Sequence, residues 1–381
     1  DAGVYADYNF VTGSAADAWP AKTGFVTGGR EAHGVNGGNP QFANIADPLG
    51  TDGLPFTQDD GLVPAAASPL CGAGIKLGLA TTYIGAYACA GGETFACATA
   101  TVHCVPSERA TIAACATIAV AGDVCWVQPG NYAEEVITVN GGSGDADANR
   151  IRYIANGHVT IKSFDFRDPY VTVKGFIIRG TGFTALVSAR TGADYCKILD
   201  NKVGNWTDGS NVFGINFIPA GNYPNGTSAN NCTISGNDVG NSTGHLLSLY
   251  GNTHTVENND FHNNNKADYV RVFGSNHIIR RNIFRDASSS SSGNHPDFVQ
   301  TFGSDIATEN ILIEENWLNN LVVGDVQFGQ LNTHYGNPGY GPGDPLPDLL
   351  TNVKNWTFRR NVVVSVSNNG NYGIPGITLE H

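Results

Sequence analysis

The chain has 381 residues, of which 41% are hydrophobic and only 14% charged, and its formal net charge is −13. An acidic surface repels nucleic acids and anionic membranes, so neither is an expected partner, and no apolar run is long enough for a membrane span. Strong helix formers are scarce, whereas β-branched residues, Asn and Gly (48 residues) are abundant. This composition predicts an all-β fold.

Residues 1–104 are predicted to be an N-terminal extension that is rich in Cys toward its end. The chain has 8 Cys, and most lie between Cys71 and Cys125 without a Cys-x-x-Cys pair, which argues against a zinc site. An even, clustered set favours disulfides. Disulfides indicate an oxidising compartment, so we expect a secreted, extracellular protein.

Residues 105–381 begin with a predicted short capping helix at 107–118, with Ser107 as its N-cap. Such a helix would cover the open end of a stack of strands, which otherwise exposes apolar surface and unpaired edges. Strand-like segments follow at 122–132, 151–154, 159–161, 171–173 and 176–178.

Further along, the chain repeats one phrase: an apolar residue, any two residues, Asn, one residue, and a second apolar residue. The phrase is centred on Asn201, Asn237, Asn259, Asn282, Asn316 and Asn361. The shortest interval, 22 residues, predicts a solenoid whose longer intervals carry loop insertions. Because Asn tolerates the left-handed backbone conformation, we expect each Asn to form a bend, with its side chain in one inward line. Cys196 and Cys232 each stand the same number of residues before one of these repeated Asn residues, Asn201 and Asn237. We therefore expect the two cysteines to be neighbours in the stack, either paired or simply buried.

These features resemble the pectate-lyase-like superfamily, over residues from about 107 to 378. The resemblance implies a single-stranded right-handed parallel β-helix, and many members of that superfamily cut or modify acidic polysaccharides outside the cell. Segments 7–13 and 68–74 resemble the tail that usually follows the last coil of such proteins. Residues 1–104 are then a separate extension, a circular permutation that completes this chain's own stack, or a segment passed to the next molecule. The chain is accordingly expected to be a monomer or to self-associate head to tail through residues 1–104.

Four segments between the predicted bends are expected to be strands in the same slot of successive coils. Period-two alternation points one set of side chains inward: Leu247, Leu249, Val270, Val272 and Val299. The same alternation points Ser248, Arg271 and Gln300 outward. The residues at the start of the segments are expected to form a column down the stack: His245, Asp268, Asp297 and Asp325.

Asp268 and Asp297 would lie on adjacent coils about 4.8 Å apart, where two carboxylates repel unless they share a proton, a cation or Arg271. We therefore predict a functional groove whose catalytic residues are Asp297, Asp268, Arg271, His295 and Lys266. A Ca²⁺ ion is predicted on the carboxylates of Asp268, Asp297 and Asp325, because calcium prefers oxygen ligands. The competing interpretation is that these Asp side chains only cap turns through main-chain N–H groups.

The segment His295-Pro-Asp297-Phe loosely resembles the Asn-Thr-Asp-Gly strand of polygalacturonase-type hydrolases, which would make Asp297 an acid or a base. The chain departs from that family because no Asp-Asp pair follows. The Arg-x-Pro-x-x-Arg pattern of pectate lyases is also absent.

Substrate contacts are predicted along the same groove. An aromatic column of Tyr250, Phe273 and Phe302, with Tyr335 from a later loop, is expected to stack on sugar faces. The other predicted contacts are His245, Ser248, Gln300 and Gln327. Long loops on a rigid scaffold would form the groove walls.

Three functions follow from these patterns. The first is a secreted lyase that cleaves a uronate-containing polysaccharide by β-elimination, with calcium on the uronate carboxylate and Arg271, His295 or Lys266 as the proton acceptor. The second is a glycoside hydrolase that uses a pair of Asp residues. The third is a non-catalytic carbohydrate-binding or filament-forming solenoid, because a fold does not determine an activity.

Overall fold

The structure is a computed structural model of the chain. It describes residues 10–11, 35–36, 41–42, 46, 68, 95–97, 99–182, 184–204, 213–222, 225–241, 244–264, 267–287, 297–302, 306–319, 327–332, 353–363 and 377–380. The chain divides into two compact units, one of Asp1–Ala96 with Asn156–His158 and one of Cys97–Ala155 with Val159–His381.

The first unit contains, among its described residues, two short strands that pair in parallel. They are β1 (Phe10–Val11) and β2 (Val35–Asn36). The two tail-like segments lie mostly outside the described residues. The interpretation of residues 1–104 as an extension, a permutation or a head-to-tail segment therefore stays a prediction.

The second unit is built from three long parallel sheets. Strands are numbered in chain order, and within each sheet they follow one another in spatial order. The first sheet contains β3 (Val102–Val105), β4 (Val124–Val127), β7 (Ile151–Ala155), β10 (Val171–Lys174), β13 (Lys197–Leu199), β18 (Thr233–Ser235), β21 (Thr255–Glu257), β24 (Ile278–Arg280), β27 (Thr308–Glu314), β30 (Val353–Arg359) and β32 (Ile377–Glu380). The second contains β5 (Gly130–Asn131), β8 (Val159–Ile161), β11 (Ile177–Ile178), β14 (Lys202–Val203), β19 (Asp238–Gly240), β22 (Asp260–His262), β25 (Ile283–Arg285), β28 (Trp317–Asn319) and β31 (Val362–Val363). The third contains β6 (Glu135–Ile137), β9 (Ser163–Phe166), β12 (Ala185–Ala189), β15 (Phe213–Phe217), β20 (Leu247–Leu249), β23 (Val270–Val272), β26 (Asp297–Phe302) and β29 (Gln327–Asn332). A small antiparallel pair, β16 (Ala220–Asn222) and β17 (Asn225–Thr227), stands apart from them.

The strand order confirms the predicted parallel β-helix. Each coil contributes one strand to each sheet, as β18, β19 and β20 do, and each strand pairs in parallel with its counterpart in the next coil. Crossovers between parallel strands are right-handed in nearly all proteins, as the resemblance also implies. The first sheet starts at β3, shortly before the predicted boundary at residue 105.

The core lies between the three sheets and is filled by one inward side chain after another. In a single coil, Val256, Phe261 and Val270 have no exposed surface. The rings of Phe261 and Phe284 from adjacent coils stack with their centroids 5.1 Å apart. Burial of each such side chain contributes about 1.5–3 kcal/mol, so the repeated inward positions hold the stack together.

The predicted line of inward Asn side chains is confirmed. The Nδ2 of each Asn donates to the Oδ1 of the next at 2.9–3.1 Å, from Asn201 through Asn237, Asn259, Asn282 and Asn316 to Asn361. The same Oδ1 also accepts the backbone N–H of the preceding Asn, as in Asn259 N to Asn282 Oδ1 at 3.0 Å. These amides satisfy polar groups of the bend, which is buried along most of this line.

The prediction that these Asn residues adopt the left-handed conformation is wrong. That conformation belongs to the residue before each of them, with φ between 52° and 71°, at Asp200, Gly236, Asn258, Arg281, Glu315 and Arg360. Bulky side chains accept a conformation that costs about 1–2 kcal/mol. We attribute the acceptance of this conformation to the ladder Asn that follows, because its side-chain amide makes several hydrogen bonds that form only when the chain bends there.

The capping helix α1 (Ile112–Ala116) is shorter than predicted and begins later. Its N-cap is Thr111, whose Oγ1 accepts from Ala114 N at 2.9 Å, and not Ser107. The preceding stretch folds back on β3 instead, because the Glu108 carboxylate accepts the Cys104 N–H and Cys104 O accepts the backbone N–H of Glu108. A 3₁₀ turn (Asp147–Asn149) follows later in the chain.

Three disulfides join described cysteines, Cys97–Cys104, Cys115–Cys125 and Cys196–Cys232. They confirm disulfide bonding within the Cys71–Cys125 cluster and show that Cys196 and Cys232 are paired. Cys71 and Cys89 lie outside the described residues. The bonds are consistent with an oxidising compartment. Within the described part of the chain, no helix is long and apolar enough to cross a membrane.

Candidate functional site

A line of polar side chains runs along the outer face of the third sheet. Its members are paired in register from strand to strand: Asp165, Ser188, Asn216, Ser248, Arg271 and Gln300, with Gln330 as the next register position. We call this line the outward column. Five steps of about 4.8 Å make it about 24 Å long from Asp165 to Gln300. That length suits an extended chain lying across the coils.

The alternation predicted for this sheet is confirmed. Leu247, Leu249, Val270, Val272 and Val299 are buried in the core. Ser248, Arg271 and Gln300 point to the opposite side, but Ser248 and Gln300 are only 3% and 7% exposed. The column is therefore a covered polar layer in which the side chain of Arg271, at 20%, is more open to solvent.

The prediction that Tyr250 and Phe273 stack on sugar faces is wrong. Both are buried, and their rings stack on each other with centroids 4.7 Å apart. The glycines that follow them, Gly251 and Gly274, have φ of 92° and 90°, and a Cβ on Gly274 would lie 1.6 Å from the Gly251 carbonyl oxygen. The coils touch at this bend, so strand alternation ends and the rings turn inward.

Four side chains form one hydrogen-bonded network at the centre of the site. Arg271 donates to Asp268 Oδ2 from Nε at 3.0 Å and from Nη2 at 2.6 Å. Nη2 also lies 2.5 Å from Gln300 Oε1, and Gln300 Nε2 donates to Asp297 Oδ2 at 2.9 Å. The two carboxyl groups are thus linked through a guanidinium and an amide.

Burial, and after it the negative charge of Asp268, raise the pKa of Asp297 to about 8. The hydrogen bond from Gln300 and the charge of Arg271 act against this rise. Asp297 therefore keeps its proton at neutral pH, whereas Asp268 is ion-paired with Arg271. A carboxylic acid beside an ion-paired carboxylate is an arrangement suited to proton transfer.

The predicted column of His245, Asp268 and Asp297 exists, and it also binds the main chain. His245 Nδ1 accepts the Asp268 N–H at 3.1 Å, and Asp268 Oδ1 accepts the Asp297 N–H at 3.1 Å. This is the turn-capping role that the sequence left open for these residues. Burial lowers the pKa of His245 to about 4, so the ring is neutral and its proton lies on Nε2. The ring also stacks on Phe213.

The fourth position of this column does not belong to Asp325. In the register of β26 and β29, Asp297 pairs with Gln327. The prediction placed the last segment two residues out of register, which alternation alone cannot detect because the side chains keep the same face.

Several predicted site residues are not described at side-chain level. His295, Lys266, Tyr335 and Asp325 lie outside the described residues, and Phe302 and Gln327 are placed only as backbone. Their catalytic, metal or substrate roles stay predictions.

Two arginines were missed by the predictions from sequence. Arg167 and Arg190 follow β9 and β12, and both contact the buried Asp165. The signal was present, because each Arg stands two positions after a polar residue of an alternating strand, Asp165 or Ser188. These coils precede the first ladder Asn, so the repeat did not extend to them.

No protein-family model matches the chain, and no curated protein sequence matches it. Among solved structures, it is similar to a pectin methylesterase from Aspergillus niger, with 12% identity and a TM-score of 0.38 over 76% of this chain and 86% of that one. It is also similar to the A-module of a mannuronan C-5 epimerase from Azotobacter vinelandii, with 13% identity and a TM-score of 0.39 over 68% and 85%. A PL6 family polysaccharide lyase from Pseudopedobacter saltans gives 15% identity and a TM-score of 0.32 over 74% and 91%. Such low values carry no argument about activity or substrate, and the fold assignment rests on the strand order itself.

Proposed function

We propose that this chain is a secreted lyase that cleaves an acidic, uronate-containing polysaccharide by β-elimination. The observation that carries the proposal is Arg271, a partly exposed cation in a polar column on a protein of net charge −13. The guanidinium is held in place by Asp268 and Gln300. A fixed guanidinium on an acidic protein is suited to one anionic group of a substrate.

In this mechanism, Arg271 binds the uronate carboxylate and offsets its charge, which acidifies the C–H bond of the adjacent carbon. A base removes that proton, the electron pair forms a carbon–carbon double bond, and the bond to the leaving glycosidic oxygen breaks. The leaving oxygen then takes up a proton. The two products are a shortened chain and a chain that ends in an unsaturated sugar.

Asp297 is the described residue suited to protonate the leaving glycosidic oxygen, because its pKa of about 8 keeps it protonated at neutral pH, as a general acid must be. Asp297 has no exposed surface, and its Oδ2 accepts from Gln300 Nε2 at 2.9 Å. The proposal therefore requires a movement of side chains, with that of Gln300 among them, that lets the substrate reach Asp297. His295 and Lys266 remain the predicted bases.

A calcium ion would bind the uronate carboxylate of the substrate, as Arg271 does in this proposal. The described side chains do not form a calcium site. Asp268 gives one oxygen to Arg271 and the other to the Asp297 N–H. The part of the chain that the structure describes contains no group of three side chains able to hold a metal ion. In the proposal, Arg271 supplies the positive charge that the prediction from sequence assigned to Ca²⁺.

A glycoside hydrolase is the second candidate. The observation that favours it is the protonated Asp297 beside Asp268 on the adjacent coil, because a retaining hydrolase holds its acid and its nucleophile about 5 Å apart. Against it, both oxygens of Asp268 are already engaged, which weakens a nucleophile.

The test is a panel of polyuronates and neutral glucans, read by the ultraviolet absorbance of unsaturated products and by reducing ends. Reducing ends with absorbance support the lyase, and reducing ends without absorbance support the hydrolase. Binding without either product would leave a non-catalytic carbohydrate-binding solenoid.

The matched variants are Arg271→Gln and Arg280→Gln. Each removes one arginine, from adjacent coils, but Arg280 lies on the first sheet and pairs with Glu257. We expect Arg271→Gln to lower kcat/KM on polyuronate by about 100-fold or more, as loss of a charge-stabilising donor does, and Arg280→Gln to leave it unchanged. Equal activity in the two variants would reject the role of Arg271.

A further inference from the structure

A second cationic position lies on the outward column, toward the N-terminal end of the solenoid. Arg167 and Arg190 directly follow β9 and β12, and both bind the outward side chain of Asp165, which places them on the column side of the sheet. Arg167 Nη2 lies 2.9 Å from Asp165 Oδ2, and Arg190 Nε lies 2.8 Å from Asp165 Oδ1. The side chain of Asp165 is only 5% exposed, so it acts as a buried anchor for two surface cations.

The charges at this position do not cancel. Two guanidinium groups share one carboxylate, and the arginine side chains are 49% and 44% exposed. Arg190 uses its Nε toward Asp165, and within the described part of the chain its two terminal nitrogens have no protein partner. On the first sheet, by contrast, two carboxylates, those of Glu314 and Glu315, are shared by three arginines, Arg281, Arg359 and Arg360.

Small neutral polar side chains separate the two cationic positions. Ser188, Asn216 and Ser248 occupy the column between Asp165 and Arg271. Four coil steps of about 4.8 Å place the two ends about 19 Å apart. Ser188 and Ser248 are only 8% and 3% exposed, so no charged or protruding column residue stands between the two cations. Two separated cations suit an extended polymer that carries acid groups at intervals.

We propose that Arg167 and Arg190 form an anion-binding subsite. It binds one carboxylate of the acidic polysaccharide, while the sugar that is cleaved lies farther along the same polymer, at Arg271. The proposal rests on the proposed function for the identity of the polymer. Guanidinium groups bind carboxylates through paired hydrogen bonds, and the anchor at Asp165 reduces the side-chain entropy lost on binding. Because the subsite lies far from the bond that breaks, it contributes to binding of long chains and not to the chemical step.

The test measures the affinity of the full chain for polygalacturonate, alginate and neutral dextran, which requires no catalysis. The main variant combines Asp165→Asn, Arg167→Gln and Arg190→Gln, so that no unpaired carboxylate stays buried. We expect the Kd for the polyuronate that the wild type binds to rise about 10-fold, with a weaker salt dependence and no change for dextran. The control is Arg359→Gln, which removes another arginine bound to a buried carboxylate, that of Glu314.

A milder variant covers the case in which the triple variant does not fold. Arg167→Lys with Arg190→Lys keeps both charges and the pairing with Asp165 but loses the planar double donor, so affinity should fall by a smaller factor. Wild-type affinity in a folded triple variant, or in the Lys variant where the triple variant is unfolded, would overturn the subsite.

The outcomes also separate the subsite from the lyase activity. If the variants lose affinity for polyuronate but the wild type releases no unsaturated product, the subsite is retained and the lyase is rejected. Unsaturated product with unchanged affinity in the triple variant would retain the lyase and reject the subsite. A wild-type chain that binds no polyuronate would reject the subsite outright.

Discussion

The outer faces of the first and third sheets use the same residue types in opposite ways. On the first sheet, charges pair across neighbouring coils, as Arg280 does with Glu257 at 2.8 Å and Lys354 with Glu309 at 3.1 Å, and these side chains are 22–45% exposed. On the third sheet, Asp297 and Asp268 are buried, and one of them is held protonated.

In the proposed function, the difference separates a face that stabilises the solenoid from one that acts on another molecule. Exposed ion pairs contribute little to stability because water screens both charges, and their formation costs little because both charges stay in contact with water. Formation of a buried network removes several polar groups from water, and this desolvation raises the pKa of a buried carboxyl. Perturbed groups of this kind cluster at functional sites, although structural networks also contain them.

The largest expected effect is on the pH dependence of stability, because buried groups titrate differently in the folded and unfolded chain. Burial lowers the pKa of His245 and His254 to about 4 and that of His277 to about 3. An unfolded histidine titrates near pH 6.5. The free energy of unfolding should therefore fall as the pH drops from about 6.5 toward 4, by about 1.4 kcal/mol per pH unit for each histidine. Urea denaturation across this range measures the slope, and a flat profile would contradict the burial of these rings.

The variant Asp297→Asn should separate activity from stability. Turnover is expected to fall by about 100-fold or more if Asp297 moves the proton. The folded carboxyl keeps a proton, up to a pKa of about 8, that the unfolded one loses near pH 4. Asp297 therefore favours folding below about pH 4 and loses that contribution as the pH rises toward 8. The variant should show a higher free energy of unfolding than the wild type at pH 8 and little difference at pH 4.

The control for this variant is Asp260→Asn, which removes a carboxylate paired with Arg285 on the second sheet. It should retain activity. Full activity in Asp297→Asn, with stability unchanged at pH 8, would reduce Asp297 to a turn cap and remove the contrast between the two faces.

The next effect concerns two Asn lines, one buried and one exposed. Asn282→Ala leaves the Asn259 N–H and the Val256 carbonyl without their side-chain partner inside the core, so we expect a loss of about 2 kcal/mol or more. Asn310 lies in a second line at an exposed bend, between Asn276 and Asn355, with φ of 57°. Asn310→Gly keeps that backbone conformation without strain and should cost only a few tenths of a kcal/mol. Equal losses in thermal or urea unfolding would show that burial does not decide the value of these amides.

Sequence periodicity was sufficient for the repeated parts of this molecule. The ladder Asn residues and the inward positions of β20 and β23 were predictable because each coil repeats the same local chemistry. Predictions failed at the bends between strands. Tyr250 and Phe273 turn inward because the following glycines bend the chain, and strand alternation does not include that bend.

The candidate site was only partly predictable for the same reason. The pairing of Asp268 with Asp297 followed from the coil register, but the raised pKa of Asp297 depends on burial, which sequence does not give. Arg167 and Arg190 were missed because Phe176, not Asn, occupies the ladder position of their region and donates its backbone N–H to Asn201. Without the Asn marker, no register linked those coils to the later ones.

The smallest expected effect is that of Arg280→Gln on the first sheet. Arg280 Nε lies 2.8 Å from Glu257 Oε2, and the two side chains are 32% and 22% exposed. Exposed pairs of this kind contribute about 0.2–1 kcal/mol, and salt screens them over about 10 Å at 0.1 M. The variant should lose less than about 1 kcal/mol of unfolding free energy, and the loss should shrink further in concentrated salt. A loss as large as that of Asn282→Ala, or one that salt does not change, would mean that the outer face of the first sheet carries more than screened surface charge, and the contrast with the third sheet would fail.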